Sequence, residues 1–181
     1  MKILIASDIH GSYPAAQALM KSFENTQPDA LLLLGDLLYH GPRNPVSSDY
    51  KPMDTAQLLN KKKDRIIAVC GNCDAHIDQH LLEFPITAEY SILLYGNRRI
   101  FATHGHLFSP EAPPPMRSGD IFISGHTHLA GISEKNGCFF VNPGSITYGK
   151  EGKSPSYLLF QDGTFTWYTI DGTLLDTFSV N

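Results

Sequence analysis

The sequence predicts an α/β fold in which two mixed sheets pack face to face with helices outside, a four-layer α/β/β/α sandwich. The first half alternates short apolar runs with amphipathic segments, as the βαβ crossovers of a parallel sheet do. The second half pairs apolar runs across Gly-Asn, Asn-Gly and Asp-Gly steps, which are typical of hairpins. No linker or repeat interrupts this pattern, so we expect one domain over residues 1–181.

The first half contains three predicted strands and two predicted helices. Ser12 is a suitable N-cap for the first helix, and the run 30–34 is apolar throughout, as expected of a strand covered on both faces. The predicted strands span 2–6, 30–34 and 65–70, and the predicted helices span 13–25 and 53–62.

Eight further strands are predicted in the second half. These strands span 89–95, 98–103, 120–124, 131–135, 138–142, 156–161, 164–170 and 173–180. The proline-rich run 110–115 is expected to form a stiff surface loop near the functional site.

Charge and hydropathy exclude two classes of partner. The net charge of -4 and the lack of a basic stripe give no support for nucleic-acid binding. No apolar run approaches the roughly 20 residues that span a bilayer, and the apolar run at the N-terminus is too short for a signal peptide. Three cysteines, an odd number, favour a reducing compartment over a disulfide framework. We therefore expect a cytoplasmic protein.

Polar clusters rich in metal-binding side chains follow five of the predicted strands. They are Asp8-Ile9-His10, Gly35-Asp36, Gly71-Asn72-Cys73-Asp74, Thr103-His104-Gly105-His106 and Gly125-His126-Thr127-His128. Asp, Asn and His ligands together suit hard or borderline divalent ions such as manganese, iron or zinc. The chain is therefore predicted to be a two-metal hydrolase.

Each cluster alone has an ordinary structural explanation. Asp8 could cap a helix, Asp36 could be a turn residue, and Gly71-Asn72 could form a plain turn. The paired histidines are more specific, because four of the eight histidines fall at 104/106 and 126/128, directly after apolar strands. The combination of clusters favours the metal site.

The Cys70-x-x-Cys73 spacing could indicate a redox dithiol or half of a zinc knuckle. A redox pair would normally open a helix, which lowers the pKa of the thiol. A knuckle needs a second pair of cysteines, and the chain has none. We expect neither.

In this order the clusters resemble the motifs of the metallophosphoesterase superfamily, the calcineurin-like phosphoesterases, and most closely those of its small bacterial YfcE-type phosphodiesterases. The resemblance extends over nearly the whole chain, including residues 40–44, 105–108 and 142–145. It implies the four-layer sandwich and two divalent ions, with manganese the expected metal. It also implies hydrolysis of a small phosphodiester by a hydroxide that bridges the ions.

The resemblance also assigns residues. It implies a first ion held by Asp8, His10, Asp36 and His128, and a second held by Asp36, Asn72, His104 and His126. Asp36 would bridge the two ions.

Further residues are expected around the ions. Much of the superfamily has a His after the Gly-Asn, where it helps to protonate the leaving group. This chain has Cys73 there, as YfcE-type members do, so acid assistance should be weak. We expect Asp74 to support the site behind the ligands. His40, Arg43 and His106 are expected near the substrate.

Two alternatives remain at the level of sequence. Two ions, two carboxylates and a hydroxide leave a net charge of about +1, which mildly favours a diester monoanion over a monoester dianion. A phosphomonoesterase or nucleotidase on the same metals is the alternative enzyme. The alternative of another class is a protein-interaction scaffold, as in a retromer subunit of the superfamily, a branch that has lost or altered some ligands. The sequence does not predict an oligomeric state.

Overall fold

The computed structural model describes residues 1–180, which form eleven strands and two α-helices. The strands are β1 (Lys2–Ala6), β2 (Ala30–Leu33), β3 (Ile66–Ala68), β4 (Tyr90–Tyr95), β5 (Arg98–Thr103), β6 (Ile121–Ser124), β7 (Gly131–Lys135), β8 (Cys138–Asn142), β9 (Ser156–Gln161), β10 (Thr164–Thr169) and β11 (Leu174–Ser179). The helices are α1 (Tyr13–Thr26) and α2 (Pro52–Asn60). No helix in this part of the chain is long and apolar enough to cross a membrane.

The strands form two mixed sheets, as predicted. The first has the order β11-β10-β9-β1-β2-β3 and is parallel from β1 to β3. The second has the order β4-β5-β6-β8-β7 and is parallel from β5 through β6 to β8. The three predicted hairpins form, but the last one joins the first sheet, because β9 pairs antiparallel with β1. The sheets therefore do not correspond to the two halves of the chain.

Alternation along the strands divides the core. In β1, Leu4 and Ala6 face α1 and α2, whereas Ile3 and Ile5 face the second sheet. Ser12 accepts a hydrogen bond from the Ala15 N–H at 3.4 Å, as expected of the N-cap of α1. Each fully buried aliphatic side chain in these layers contributes roughly 1.5–3 kcal/mol.

The outer face of the second sheet is covered by a loop and not by a helix. Phe108 and Met116 pack on Phe101 and Phe122 of that face. The proline-rich run 110–115 lies between them, and prolines interrupt a helix because they lack the N–H and clash with the preceding turn. The predicted loop is present, and it forms the fourth layer at a position where the predicted sandwich has helices.

One local prediction needs correction, and one element was not predicted. β3 ends at Ala68 and not at residue 70, because the Cys70 N–H donates to the Ala88 carbonyl, outside the sheet, at 2.7 Å. A one-turn 3-10 helix at His76–His80 was not predicted, since five residues carry too little periodicity to reveal it.

Candidate metal centre

The polar clusters meet where the carboxyl ends of β1, β2, β3, β5 and β6 come together. Backbone hydrogen bonds join neighbouring clusters: Asp8 N–H donates to the Gly35 carbonyl at 3.1 Å, and His10 N–H to the Asp36 carbonyl at 2.9 Å. The His126 N–H donates to Asp8 Oδ2 at 3.1 Å and so ties the second sheet to the first. The loop ends of both sheets therefore form one site.

Left-handed backbone is concentrated at this edge. Five of the candidate ligands have positive φ: Asp8 (58°), His10 (51°), Asp36 (55°), His126 (64°) and His128 (63°). A side chain in this region costs of order 1 kcal/mol or more, and such strain clusters at functional sites. The fold holds these side chains in place against a local preference for other conformations.

Two glycines allow the turns to approach each other. A Cβ on Gly71 would collide with the Asp36 carboxylate, and a Cβ on Gly125 would collide with Ser7 Oγ. Both positions therefore require glycine because of the close approach of a neighbouring turn.

The first group of donor atoms comprises Asp8, His10 and His128, all buried. Asp8 Oδ1 lies 3.1 Å from His128 Nε2 and 3.7 Å from His10 Nε2. The two imidazole Nε2 atoms are 3.5 Å apart. Three donor atoms that surround one small space are suited to bind a single cation.

The second group comprises Asn72, His104 and His126. His104 Nε2 lies 3.0 Å from Asn72 Oδ1 and 3.2 Å from His126 Nδ1. Asp36 lies between the groups, with Oδ2 at 3.8 Å from His10 Nε2 and Oδ1 at 3.5 Å from His104 Nε2. The two oxygens of one carboxylate thus face opposite groups.

The anchoring of two rings directs bare nitrogen lone pairs into the site. His10 Nδ1 donates to the Tyr39 carbonyl at 2.8 Å, and His104 Nδ1 donates to the Leu34 carbonyl at 2.6 Å. Burial lowers the pKa of His10, which keeps its ring neutral and its Nε2 unprotonated. In the neutral tautomer that donates through Nδ1, the Nε2 of His104 is an acceptor in contact with Asn72 Oδ1, and a cation between these two atoms would bind both. The donor set fits divalent metal ions.

Asp74 contacts backbone and not the donor atoms. Its carboxylate accepts the N–H groups of Asp36 (2.9 Å), Leu37 (2.7 Å) and Gly71 (2.7 Å). Burial raises its pKa to about 6, while the backbone donors from Leu37 and Gly71 oppose this shift. Asp74 therefore joins the turn after β2 to the turn after β3 and holds Asp36 and Asn72 in register.

Cys73 lies beside Asp36 as a protonated thiol. Its N–H donates to Asp36 Oδ1 at 2.8 Å, and its sulfur lies close to donor atoms of His10 and Asp36. Burial, followed by the negative charge of Asp36, raises the pKa of Cys73 to about 12. Burial also raises the pKa of Cys70, and both thiols are free. A redox dithiol would have a lowered pKa, so the structure gives no support to that alternative.

The three residues expected near substrate have different surroundings. Arg43 lines a cavity of about 260 Å³ together with candidate ligands from both groups. The His106 ring lies 5.3 Å from the His104 ring and 6.2 Å from the His126 ring. The His40 ring instead packs against Tyr39 and Tyr50, and His40 is not among the residues that line this cavity.

Two residues at the site were not predicted from the sequence. Lys150 lines the same cavity as Arg43. The Tyr148 ring lies 5.6 Å from the ring of His10 and 6.5 Å from that of His128. Both follow the 142–145 motif, and that proximity was the only signal in the sequence.

Comparison with known proteins agrees with this geometry. A model of the calcineurin-like phosphoesterase superfamily domain matches residues 1–163. Phosphodiesterase YfcE of Escherichia coli K12 is 45% identical over 157 residues, which cover 87% of this chain and 85% of that protein. The chain belongs to the calcineurin-like phosphoesterase superfamily.

Other proteins resemble the chain in sequence or in fold. A solved structure of the phosphoesterase YfcE from E. coli matches this calcineurin-like chain with a TM-score of 0.96 and 39% identity over 100% of both chains. The probable metallophosphoesterase YsnB of Bacillus subtilis is 27% identical over 166 residues, covering 88% of this chain and 83% of its own. Vps29 of Entamoeba histolytica shares the fold, with a TM-score of 0.66 and 24% identity over 100% of both chains.

These comparisons confirm the predicted family and fold. They also confirm the prediction of an enzyme at the level of a metal-dependent phosphoesterase.

Proposed function

We propose that the chain is a phosphodiesterase that hydrolyses a small phosphodiester with two divalent metal ions, of which manganese is the expected one. The observation that carries the proposal is the meeting of carboxylate, amide and imidazole donor atoms at one point, where the backbone carbonyls of Tyr39 and Leu34 anchor two of the imidazole rings. A relative named phosphodiesterase, identical at 45% of aligned positions, supports the same activity.

The two groups of donor atoms support two ions. The proposed first ion is held by Asp8, His10, Asp36 and His128, and the second by Asp36, Asn72, His104 and His126. The division of Asp36, with one oxygen toward His10 and the other toward His104, supports its role as the bridging ligand. When bound, such ions supply Lewis acidity to the phosphate and a hydroxide as nucleophile.

The protein's own groups orient and complement the phosphate. Arg43 and Lys150 line the cavity, where their positive charges attract a phosphate oxygen. Asp74 holds the two turns that carry Asp36 and Asn72. Cys73, protonated beside Asp36, is proposed to contact the ester oxygen without serving as nucleophile.

Phosphomonoesterase activity is the second candidate, and one observation favours it. Arg43 and Lys150 add positive charge to a cavity whose metal complement alone suits a monoanion. A scaffold role is less well supported, because all the candidate ligands retain competent donor atoms in contact with one another.

Two broader features accompany the proposal. We propose that 1–181 form one domain, since core side chains of both sheets pack in a shared interior. The free thiols of Cys70, Cys73 and Cys138 support a reducing compartment such as the cytoplasm.

The test is metal-dependent hydrolysis of paired substrates. Protein treated with a chelator should not hydrolyse bis(4-nitrophenyl) phosphate, and added manganese should restore the activity. The same protein assayed on 4-nitrophenyl phosphate measures the monoesterase alternative, and kcat/KM should be higher for the diester. Full activity of metal-free protein would overturn the mechanism, and a higher kcat/KM for the monoester would replace the proposed substrate class.

A further inference from the structure

A second, larger cavity adjoins the candidate metal centre. Its volume is about 670 Å³, within the roughly 300–1,000 Å³ of small-molecule sites. Pro42, Asn72 and Cys73 line both this cavity and the cavity of the metal centre, so the two share a wall. A phosphodiester bound at the metal centre would therefore have one of its ester groups at the mouth of the larger cavity.

Apolar side chains line this larger cavity from three segments. They include Tyr39 after β2, Met53 at the start of α2 and Ile77 in the 3-10 helix. These side chains are 40%, 52% and 64% exposed. Large apolar groups that are exposed around one concavity beside a reactive centre are characteristic of a ligand site.

The charges around the two cavities differ in sign. The larger cavity is lined by Asp74 and Asp78 but by no Lys or Arg. Asp78 is buried and accepts the Ala75 N–H at 2.9 Å. The cavity of the metal centre has the two cations Arg43 and Lys150 and the one carboxylate Asp36 on its lining. An additional phosphate would be repelled from the larger cavity, whereas an uncharged flat group would bury apolar surface there.

We propose that this larger cavity, the apolar subsite, binds an uncharged aromatic ester group of the phosphodiester, while Arg43 and Lys150 face the phosphate side. This assignment rests on the proposed function. It implies that the two ester groups of the phosphodiester lie in different surroundings. The Tyr39 carbonyl also anchors His10, so the wall of the subsite is fixed to a candidate metal ligand.

The test compares phenylphosphonate with methylphosphonate. Both carry the same phosphate-like group, but the first has a phenyl ring on the phosphorus atom where the second has a methyl group. Manganese-loaded protein should bind phenylphosphonate more tightly by calorimetry and should be inhibited by it at lower concentration. Met53→Ala and Ile77→Ala should each lower the affinity for phenylphosphonate by about three- to tenfold, because each substitution removes apolar contact area. Methylphosphonate should bind each variant as it binds the wild type.

Leu94→Ala is the matched control, because Leu94 is an exposed apolar residue (70%) that does not line either cavity. It should leave the affinity for both phosphonates unchanged. Equal affinity of the wild type for the two phosphonates, or an unchanged preference in both Met53→Ala and Ile77→Ala, would overturn the subsite. Binding is measured without turnover, so loss of diester hydrolysis alone would refute the proposed function and not the subsite.

Discussion

Asp36 combines three structural features in one residue. It has left-handed backbone with φ of 55°, faces both groups of donor atoms, and accepts the Cys73 N–H. A residue between two cations should affect both when its charge is removed, whereas Asn72 lies in the second group alone. Metal stoichiometry can therefore separate the proposed bridge from a ligand of one ion.

Asp36→Asn keeps the shape of the side chain and removes its charge. We expect both metals to be lost or weakened and kcat/KM for the aryl diester to fall on the order of 10²-fold or more. Asn72→Ala should lower the occupancy of one ion only. Elemental analysis with activity measurements distinguishes these outcomes. The exposed His76, outside every cluster, provides the control. If His76→Ala were as damaging as Asp36→Asn, the assignment of the bridge would be wrong.

Cys73 lies beside Asp36, at the position where we propose that an acid would assist the leaving group. We expect Cys73→His to retain both metals and to raise turnover more for poor leaving groups than for good ones, since imidazolium donates protons near neutral pH. The measurement is the slope of log kcat against leaving-group pKa in an aryl diester series. Cys73→Ser should keep most activity, because a metal-supplied hydroxide is the proposed nucleophile. Complete loss in Cys73→Ser with metals still bound would indicate a covalent thiol mechanism.

The sequence predicted the residues that carry the donor atoms better than it predicted the other residues around the site. Asp8, His10 and His128 were recognisable in combination, because clusters rich in carboxylate and imidazole side chains follow five predicted strands of one chain. Lys150 and Tyr148 were not, since the loop that carries them reaches the site through tertiary bonds. One such bond is from Ser145 Oγ to the Asp8 carbonyl at 2.9 Å.

At the scale of elements, local signals predicted hairpins but could not assign strands to sheets. The Asn-Gly step between β7 and β8 requires only neighbouring residues. The pairing of β9 with β1 joins Lys2 to Gln161, and no local pattern encodes a contact between segments so far apart. The bounds of β3 depended in the same way on Ala88, which is distant in sequence.

The start of β6 is fixed by a buried carboxylate, and β6 ends at two candidate ligands. Asp120 is 2% exposed and accepts the Arg99 backbone N–H at 3.1 Å, the Arg99 Nε–H at 3.0 Å and the Arg117 N–H at 3.0 Å. Burial alone would raise the pKa of Asp120, but hydrogen bonds from Arg99 and Arg117 outweigh it and lower the pKa to about 2.

Asp120→Asn should therefore destabilise the protein in a pH-dependent way. The lowered pKa means that the carboxylate stabilises the fold above the ordinary pKa of 3.8, and this stabilisation is lost as pH falls toward 2. We expect a loss of about 1–2 kcal/mol at pH 7, since Arg99 is partly exposed, and a smaller loss at pH 3. Denaturant unfolding of metal-free protein measures both, with the exposed Asp64→Asn as control. An equal loss at both pH values would contradict this account.

At the scale of the whole molecule, the candidate metal centre lowers the stability of the fold, and bound metal would offset this loss. Asp8 and Asp36 are buried together, and several ligands have strained backbone, so the fold without cations contains buried carboxylates and strain at the junction of its two sheets. Metal ions that bind the folded chain and not the unfolded one stabilise it by mass action. The stability of both sheets should then depend on the metal.

Chelation should therefore lower the melting temperature. At a metal concentration of about 100 times Kd, one bound ion stabilises the fold by about 2.7 kcal/mol, which corresponds to roughly 5–10 °C for a protein of this size, and the second ion adds to the shift. Calorimetry before and after chelation, with manganese restored in a third sample, measures the shift and its reversal. Asp36→Asn should show a much smaller shift, since the proposed bridge between the ions has lost its charge. An unchanged melting temperature in the wild type would contradict the binding of metal at this junction.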